Sequence, residues 1–347
     1  MNLGLLGCGN AARWLHLRAL RGVPGVKLVA AVDPDPAARD FVTRATGVPA
    51  YERAEELLDR GDVEAVLICA PTHLHARLAI AVAAAGKHFY LEKPLASDAA
   101  EGRELIAAAG RAGVKTAMGF NRRLHPLFQQ AREQLAAGAI GRVRAMQATI
   151  CERTDPAAMS AWRRQRATGG GVLLDLASHH VDQLRWMLGQ EVVAVSAALT
   201  SERTEQDGAR LELETDDGVV AQSAFSFRTA LTDVMELVGE RGTLQLDRHA
   251  ASLTVRLGRR RGYGTRSHRV LPNAAVAAWR LERLWRPPAD PSYRSALRSF
   301  AAQVRGEEPR TASLVDGLRS LEVVLAAEEA ARTGRPARIG SSSAPGR

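Results

Sequence analysis

Leu3-Gly4-Leu5-Leu6-Gly7-Cys8-Gly9-Asn10-Ala11-Ala12 begins as an apolar run and passes through two glycines into a helical pattern. The hexad Gly7–Ala12 matches G-x-G-x-x-A. The first glycine permits the tight turn, the second lets backbone approach a pyrophosphate, and the small Ala12 lets helix pack on strand. The helix start presents unsatisfied N–H groups and a dipole that favours phosphate. A second apolar run, Lys27–Val32, closes on Asp33. An acid there accepts hydrogen bonds from a ribose diol and repels a 2′-phosphate, so the motif reads as a dinucleotide site for NAD rather than NADP. Arg39, a few residues on, keeps the alternative open.

Further apolar runs follow at Ala65–Ile68, His88–Leu91 and Lys115–Met118, separated by Ala-rich helical patterns such as Leu74–Ala85 and Ala99–Ala112. Strand–helix–strand alternation at this spacing predicts a parallel sheet with helices on both faces, whose strands read as continuous apolar runs. Past residue 122 the pattern changes. A helix is expected from Pro126 to Gly138, a strand at Val143–Ile150, and a helix from Val172 to Leu188 closed by Gly189. Close-spaced strands are then expected at Glu191–Leu199, Ala209–Thr215, Val219–Phe227, Val234–Val238 and Thr243–Leu246, with Asp217-Gly218 as a hairpin turn. Helices at Ser292–Arg305 and Ser313–Arg332 end the pattern. The expected fold is α/β: a doubly wound parallel sheet over residues 1–122, then an α/β domain with an open, mostly antiparallel sheet over 123–340. Residues 341–347 read as a disordered tail.

Of 47 basic residues only Lys27, Lys87, Lys93 and Lys115 are lysines. Arginine stays protonated near neutral pH, whereas a lysine exchanges its proton once its environment shifts it. Lys93, between Glu92 and Pro94 at a strand end, is therefore the candidate reactive amine. A second group, Asp175, His179 and Asp182, recurs at helical spacing after Gly169-Gly170-Gly171, whose lack of side chains is read as room for a ligand. A histidine flanked by carboxylates suits general base work. The same triplet is also compatible with a plain polar helix face or, less well, with metal ligation; no metal is expected. Pro71-Thr72-His73-Leu74-His75 follows the strand ending at Ile68 and reads as nucleotide lining and helix cap.

In this order, Gly7–Ala12, Pro71–His75, Glu92-Lys93-Pro94, Gly119-Phe120-Asn121-Arg122-Arg123 and Gly169–His179 resemble the Gfo/Idh/MocA family of oxidoreductases over nearly the whole chain. The resemblance implies an N-terminal Rossmann domain, a second domain whose open sheet forms a homodimer or homotetramer interface, and hydride transfer between a nicotinamide cofactor and a sugar, cyclitol or sugar derivative. It implies Lys93, Asp175 and His179 as catalytic residues. It places the cofactor on Gly7, Gly9, Asn10, Ala11, Ala12, Asp33, Pro71, Thr72, His75, Glu92, Lys93 and Asn121. Substrate would meet Lys93, Arg122, Trp162, Arg163, Asp175 and His179. Ala177 stands where glycine is usual and Thr72 where asparagine is common. An NADP-dependent keto-sugar reductase and a non-catalytic regulator of the same fold are the alternatives; the retained Lys93 and His179 favour an enzyme.

The net charge of +9 is local, because residues 256–286 carry nine arginines and one acid, Glu282. This excludes a general nucleic-acid-binding surface. The segment reads as an amphipathic helix with Ala277, Leu281, Leu284 and Trp285 on one face. Attraction of anionic substrates, or of an acidic partner or membrane surface, is the other option. No apolar run reaches the roughly 18 residues of a membrane span. The N-terminus lacks a basic leader, and three scattered cysteines suit a reducing cytoplasm.

Overall fold

The apolar runs of the first 120 residues become short parallel strands buried on both faces, as their uninterrupted hydrophobicity requires. The computed structural model describes residues 1–258, 264–285 and 290–340, so the tail 341–347 lies outside the described residues. The chain divides into two compact units.

The first unit comprises Met1–His125, Ala167–Gly169 and Asp290–Leu321. Its strands are β1 (Asn2–Leu6), β2 (Lys27–Val32), β3 (Ala50–Tyr51), β4 (Ala65–Ile68), β5 (His88–Leu91) and β6 (Thr116–Met118). They form one parallel sheet in the order β3-β2-β1-β4-β5-β6. The order reverses between β1 and β4, and ligands of such sheets bind at the carboxyl ends beside that point. The connecting helices are α1 (Leu17–Leu20), α2 (Pro36–Thr46), α3 (Ala54–Leu58), α4 (His75–Ala84) and α5 (Ala99–Ala112). Asp35 caps α2 by accepting from the Ala37 amide, and Asp98 caps α5 by accepting from Ala100 and Glu101. Gly47 and Gly113 end those helices in the left-handed conformation.

The second unit comprises Pro126–Arg166, Gly170–Ala289 and Glu322–Arg347. Among the described residues it holds α6 (Pro126–Ala136), α7 (Ser178–Leu188) and α8 (Ala274–Trp285), with β7 (Val143–Arg153), β8 (Val192–Thr200), β9 (Gly208–Thr215), β10 (Val220–Ser226), β11 (Arg228–Gly239), β12 (Gly242–Asp247), β13 (Ser252–Gly258), β14 (Thr265–Arg269) and β15 (Ala337–Arg338). These strands form a nine-stranded sheet in the order β14-β13-β12-β11-β7-β10-β9-β8-β15, antiparallel except for β7 with β10. In β9 the residues from 210 to 214 alternate: Leu211 and Leu213 are buried while Arg210, Glu212 and Glu214 are exposed. One face therefore packs on a core and the other is polar. His180 of α7 reaches the packed face, with its Nε2 2.7 Å from Ser223 Oγ.

Three expectations need correction. The second domain does not run unbroken to 340, because α9 (Pro291–Val304) and the first part of α10 (Leu314–Thr333) return to the first unit. There Met118 pairs with Ala312 at the edge of the parallel sheet. The arginine-rich stretch is not one helix: β13 and β14 occupy much of it, and Arg259–Arg261 and Arg286 lie outside the described residues. Within α8 the buried face is Val276 and Trp279, while Leu281, Leu284 and Trp285 are exposed. The helix is anchored from that inner side by Arg280, which donates to the Ala251 carbonyl, and by Arg283, which donates to the His249 carbonyl. β3, only two residues long, was too short for any periodicity to reveal.

Trp279→Ala is expected to destabilise the protein by about 3–5 kcal/mol in urea unfolding, against under about 0.5 kcal/mol for Trp285→Ala. Equal losses would contradict this assignment of faces.

Candidate active site

Five strand ends of the first unit converge at the carboxyl edge: Gly7 after β1, Asp33 after β2, Cys69 and Ala70 after β4, Glu92 and Lys93 after β5, and Gly119 after β6. Gly7 has φ +89, and a Cβ there would lie 2.7 Å from the backbone of Cys69 and Ala70. Only glycine fits, for conformational and steric reasons together. Gly9 differs: a Cβ built on it meets no protein atom within 4 Å. Its bare, exposed backbone is not required by the fold, and it suits a phosphate that must approach closely. Asn10 and Ala11 continue the turn outward, and Ala12 is buried at the start of a π-helical turn, Ala12–His16, leading into α1. Such turns are rare and cluster at functional sites.

Asp33 is held from both sides. Its Oδ2 accepts the Cys8 amide at 2.7 Å and its Oδ1 the Asp35 amide at 2.9 Å. Burial and the Asp33 charge together push the Cys8 thiol up to about 12, so it is not a nucleophile. The Arg39 guanidinium donates to the carbonyls of Asp33 and Pro34, at 2.8 and 2.9 Å. Arg13 donates to the Cys8 carbonyl at 2.7 Å and stacks on Phe41.

Pro71 leads into a 3-10 turn, Thr72–Leu74, in which Thr72 is buried and its hydroxyl lies 3.4 Å from the Gly169 carbonyl. His73 is exposed, with Nδ1 3.1 Å from the Thr168 carbonyl. His75 is buried, and both ring nitrogens face carbonyls: Nδ1 is 2.6 Å from Pro94 and Nε2 is 2.9 Å from Ala70. Burial pushes its pKa down, opposed by those carbonyls. Asn121 is also turned inward, its amide donating to Ser292 Oγ at 2.7 Å, with the partly buried Arg122 beside it.

In the second unit Asp175 lies on another π-helical turn, Leu173–Ala177, followed by the largely buried His179 in α7. Asp175 Oδ2 accepts from Arg163 Nε at 2.9 Å, and the same guanidinium binds Glu152 at 2.8 Å and stacks on Phe227. Asp175 is the main cause of a raised Arg163 pKa, so that cation stays fixed. Trp162 shares the short 3-10 turn Ala161–Arg164 with Arg163. Asp182 is fully buried in α7. The triple glycine does not make room for a ligand, contrary to expectation. A Cβ on Gly169 would lie 2.2 Å from Thr72 Cβ, one on Gly170 2.3 Å from the Arg163 carbonyl, and one on Gly171 2.9 Å from Gln206 Oε1. The chain itself fills that space. Among the described residues no group of three or more His, Cys, Asp or Glu is arranged to hold a metal ion.

The site residues that the sequence reading missed are His16, Arg13 and Glu152. His16 lies four residues after Ala12, on the helix face that packs against the sheet, and a polar residue at that spacing was the available signal.

A family model described as an oxidoreductase family with an NAD-binding Rossmann fold matches residues 1–120, and a GFO/IDH/MocA C-terminal domain model matches residues 128–245. The chain belongs to the Gfo/Idh/MocA oxidoreductases. It is 30% identical to 1,5-anhydro-D-fructose reductase of Ensifer adhaerens, over 97% of this chain and 98% of that protein. It is likewise 30% identical to inositol 2-dehydrogenase 2 of Saccharopolyspora erythraea, over 98% and 95% of the two chains. The crystal structure of an oxidoreductase domain protein from Kribbella flavida superposes with a TM-score of 0.85 at 26% identity, covering 98% of this chain and 99% of that one. Among the described residues no helix is long and apolar enough to cross a membrane.

Two outcomes follow. Gly9→Ala should leave the melting temperature of the unliganded protein unchanged, because the new methyl meets no protein atom, and should weaken NAD(H) binding in calorimetry if a phosphate approaches that backbone. For His75 the ordinary pKa is 6.5 and the folded value is lower. Below 6.5 the unfolded chain takes up a proton that the native chain refuses, so this contribution to stability is lost as pH falls. Between about pH 7.5 and 5.5 the wild-type melting temperature should therefore drop more steeply than that of His75→Asn; parallel curves would contradict the shift.

Proposed function

We propose that this oxidoreductase uses NAD to oxidise a secondary hydroxyl of a sugar, cyclitol or related polyol, with Lys93, His179 and Asp175 as the catalytic residues. The observation that carries this reading is the state of Asp33. Its carboxylate is oriented by two backbone amides, so it is a fixed acceptor suited to a ribose diol and hostile to a 2′-phosphate. Arg39, the residue that would favour NADP, is already bound to the Asp33 and Pro34 carbonyls. The bare backbone at Gly9 suits the pyrophosphate. The relatives named for anhydrofructose reduction and inositol oxidation support a polyol-like substrate.

A bound nicotinamide would supply the acceptor for the hydride that leaves the substrate carbon. His179 takes the proton of the same hydroxyl, leaving a carbonyl. Lys93 donates a hydrogen bond to that oxygen and stabilises the developing negative charge. Asp175, paired with Arg163, is an ionised acceptor for a neighbouring hydroxyl rather than a proton donor. Arg163 thus acts on substrate chiefly through Asp175, and Trp162 and Arg122 border the same substrate. A homo-oligomer built on the polar face of the nine-stranded sheet completes the proposal.

Lys93→Ala should lower kcat by roughly 10²–10⁴-fold on a panel of polyols and sugars while the NAD(H) Kd holds. Equal loss of turnover and cofactor affinity would make Lys93 a cofactor ligand instead. Calorimetry with NAD(H) and NADP(H) side by side tests the rest: tighter NADP(H) binding would overturn the role of Asp33 and favour keto-sugar reduction.

A further inference from the structure

Lys93 is flanked by two residues that are each held by a buried histidine. His16, wholly inaccessible, ends the π-helical turn that follows the glycine motif, and its Nε2 donates to Glu92 Oε1 at 2.6 Å. The other carboxylate oxygen of Glu92 accepts the backbone N–H of Lys93 at 3.1 Å. Tyr90 and Tyr293 meet the His16 ring edge-on, at 5.8 and 5.3 Å between centroids. Gly119 closes the remaining side: a Cβ there would lie 2.9 Å from Glu92 Cα and 3.0 Å from its Oε2. On the far side of Lys93, His75 bridges the Pro94 carbonyl to the Ala70 carbonyl at the end of β4.

We infer that His16 and His75 are positioning residues that clamp the Glu92-Lys93-Pro94 tripeptide from both sides and so hold the Lys93 amine where the reaction needs it. The inference rests on the catalytic role proposed above for Lys93. Two histidines from two different helices converge on the two neighbours of one lysine. Packing alone does not call for this, since replacing both partners of a buried hydrogen bond by apolar groups of the same shape is often nearly neutral for stability. What these hydrogen bonds add is direction: the carboxylate is fixed at both oxygens, and with it the backbone that carries the lysine. The other three lysines lack such a frame. Lys87 uses its amine to bind the Arg60 and Val63 carbonyls, and Lys27 and Lys115 are exposed.

The test measures the acetylation rate of Lys93 by peptide mapping of the full chain treated with sulfo-N-hydroxysuccinimidyl acetate, with Lys27 and Lys115 as internal standards. The variants are His16→Leu and His75→Leu, with His16→Gln and His75→Asn keeping a donor at the matching ring position. The Leu variants should raise Lys93 acetylation several-fold relative to the standards, and the conservative variants should restore it. In the folded Leu variants kcat should fall by about 10²-fold with little change in substrate KM, as expected of a misplaced catalytic group. Unchanged acetylation in folded Leu variants would overturn the clamp. Should His16→Leu fail to fold, Glu92→Gln weakens the same contact without altering its shape, and the same two outcomes apply. Raised acetylation with undiminished turnover would leave the clamp standing and remove Lys93 from catalysis, so the two failures are distinguishable.

Discussion

The close approach of Gly7 to the end of β4 is the constraint on which the first unit depends. With φ +89 and the Cys69–Ala70 backbone where a side chain would go, no other residue lets β1 turn there. The turn brings the Cys8 amide onto Asp33, and Asp33 in turn takes the Asp35 amide, so one carboxylate joins the turn after β1 to the turn after β2. The Gly7 amide meanwhile bonds the Val32 carbonyl, tying β1 to β2 at the same level. A nucleotide site built this way is rigid before any ligand arrives, which reduces the ordering that binding requires.

The same edge of the sheet also orders the lysine. The π-helical turn after the glycines delivers His16 to Glu92, so the glycine motif and the tripeptide that carries Lys93 are mechanically one assembly. The second unit uses a different device. There Arg163 joins Asp175 to Glu152, so a single guanidinium fixes the acid on a helical turn against the acid on a long strand. Both devices place a charged group by pairing it, because an unpaired buried charge is far more expensive than a paired one.

Much was legible in the chain itself. The continuous runs Ala65–Ile68 and Lys27–Val32, the close-spaced strands joined by Asp217-Gly218, and the stop signal at Gly189 all describe local backbone preferences, and the structure follows them. The exceptions are instructive. The triple glycine looked like space for a ligand, yet Thr72, Arg163 and Gln206 occupy that space, and they lie 97, 7 and 35 residues away in the chain. The apolar face of α8 was misassigned because Leu281, Leu284 and Trp285 are as hydrophobic as Val276 and Trp279; only neighbouring elements decide which side is covered.

The sequence alone determined the dinucleotide turn, the doubly wound sheet, the mostly antiparallel second sheet and the singular lysine, because each is written in residues adjacent or periodic along the chain. Only the tertiary structure decided that His16 and His75 grip the neighbours of Lys93, that Arg163 belongs to Asp175, and that residues 290–321 return to the first unit. Those are pairings across long separations between side chains with several possible partners, and the choice among them is made by burial and geometry that no local pattern encodes.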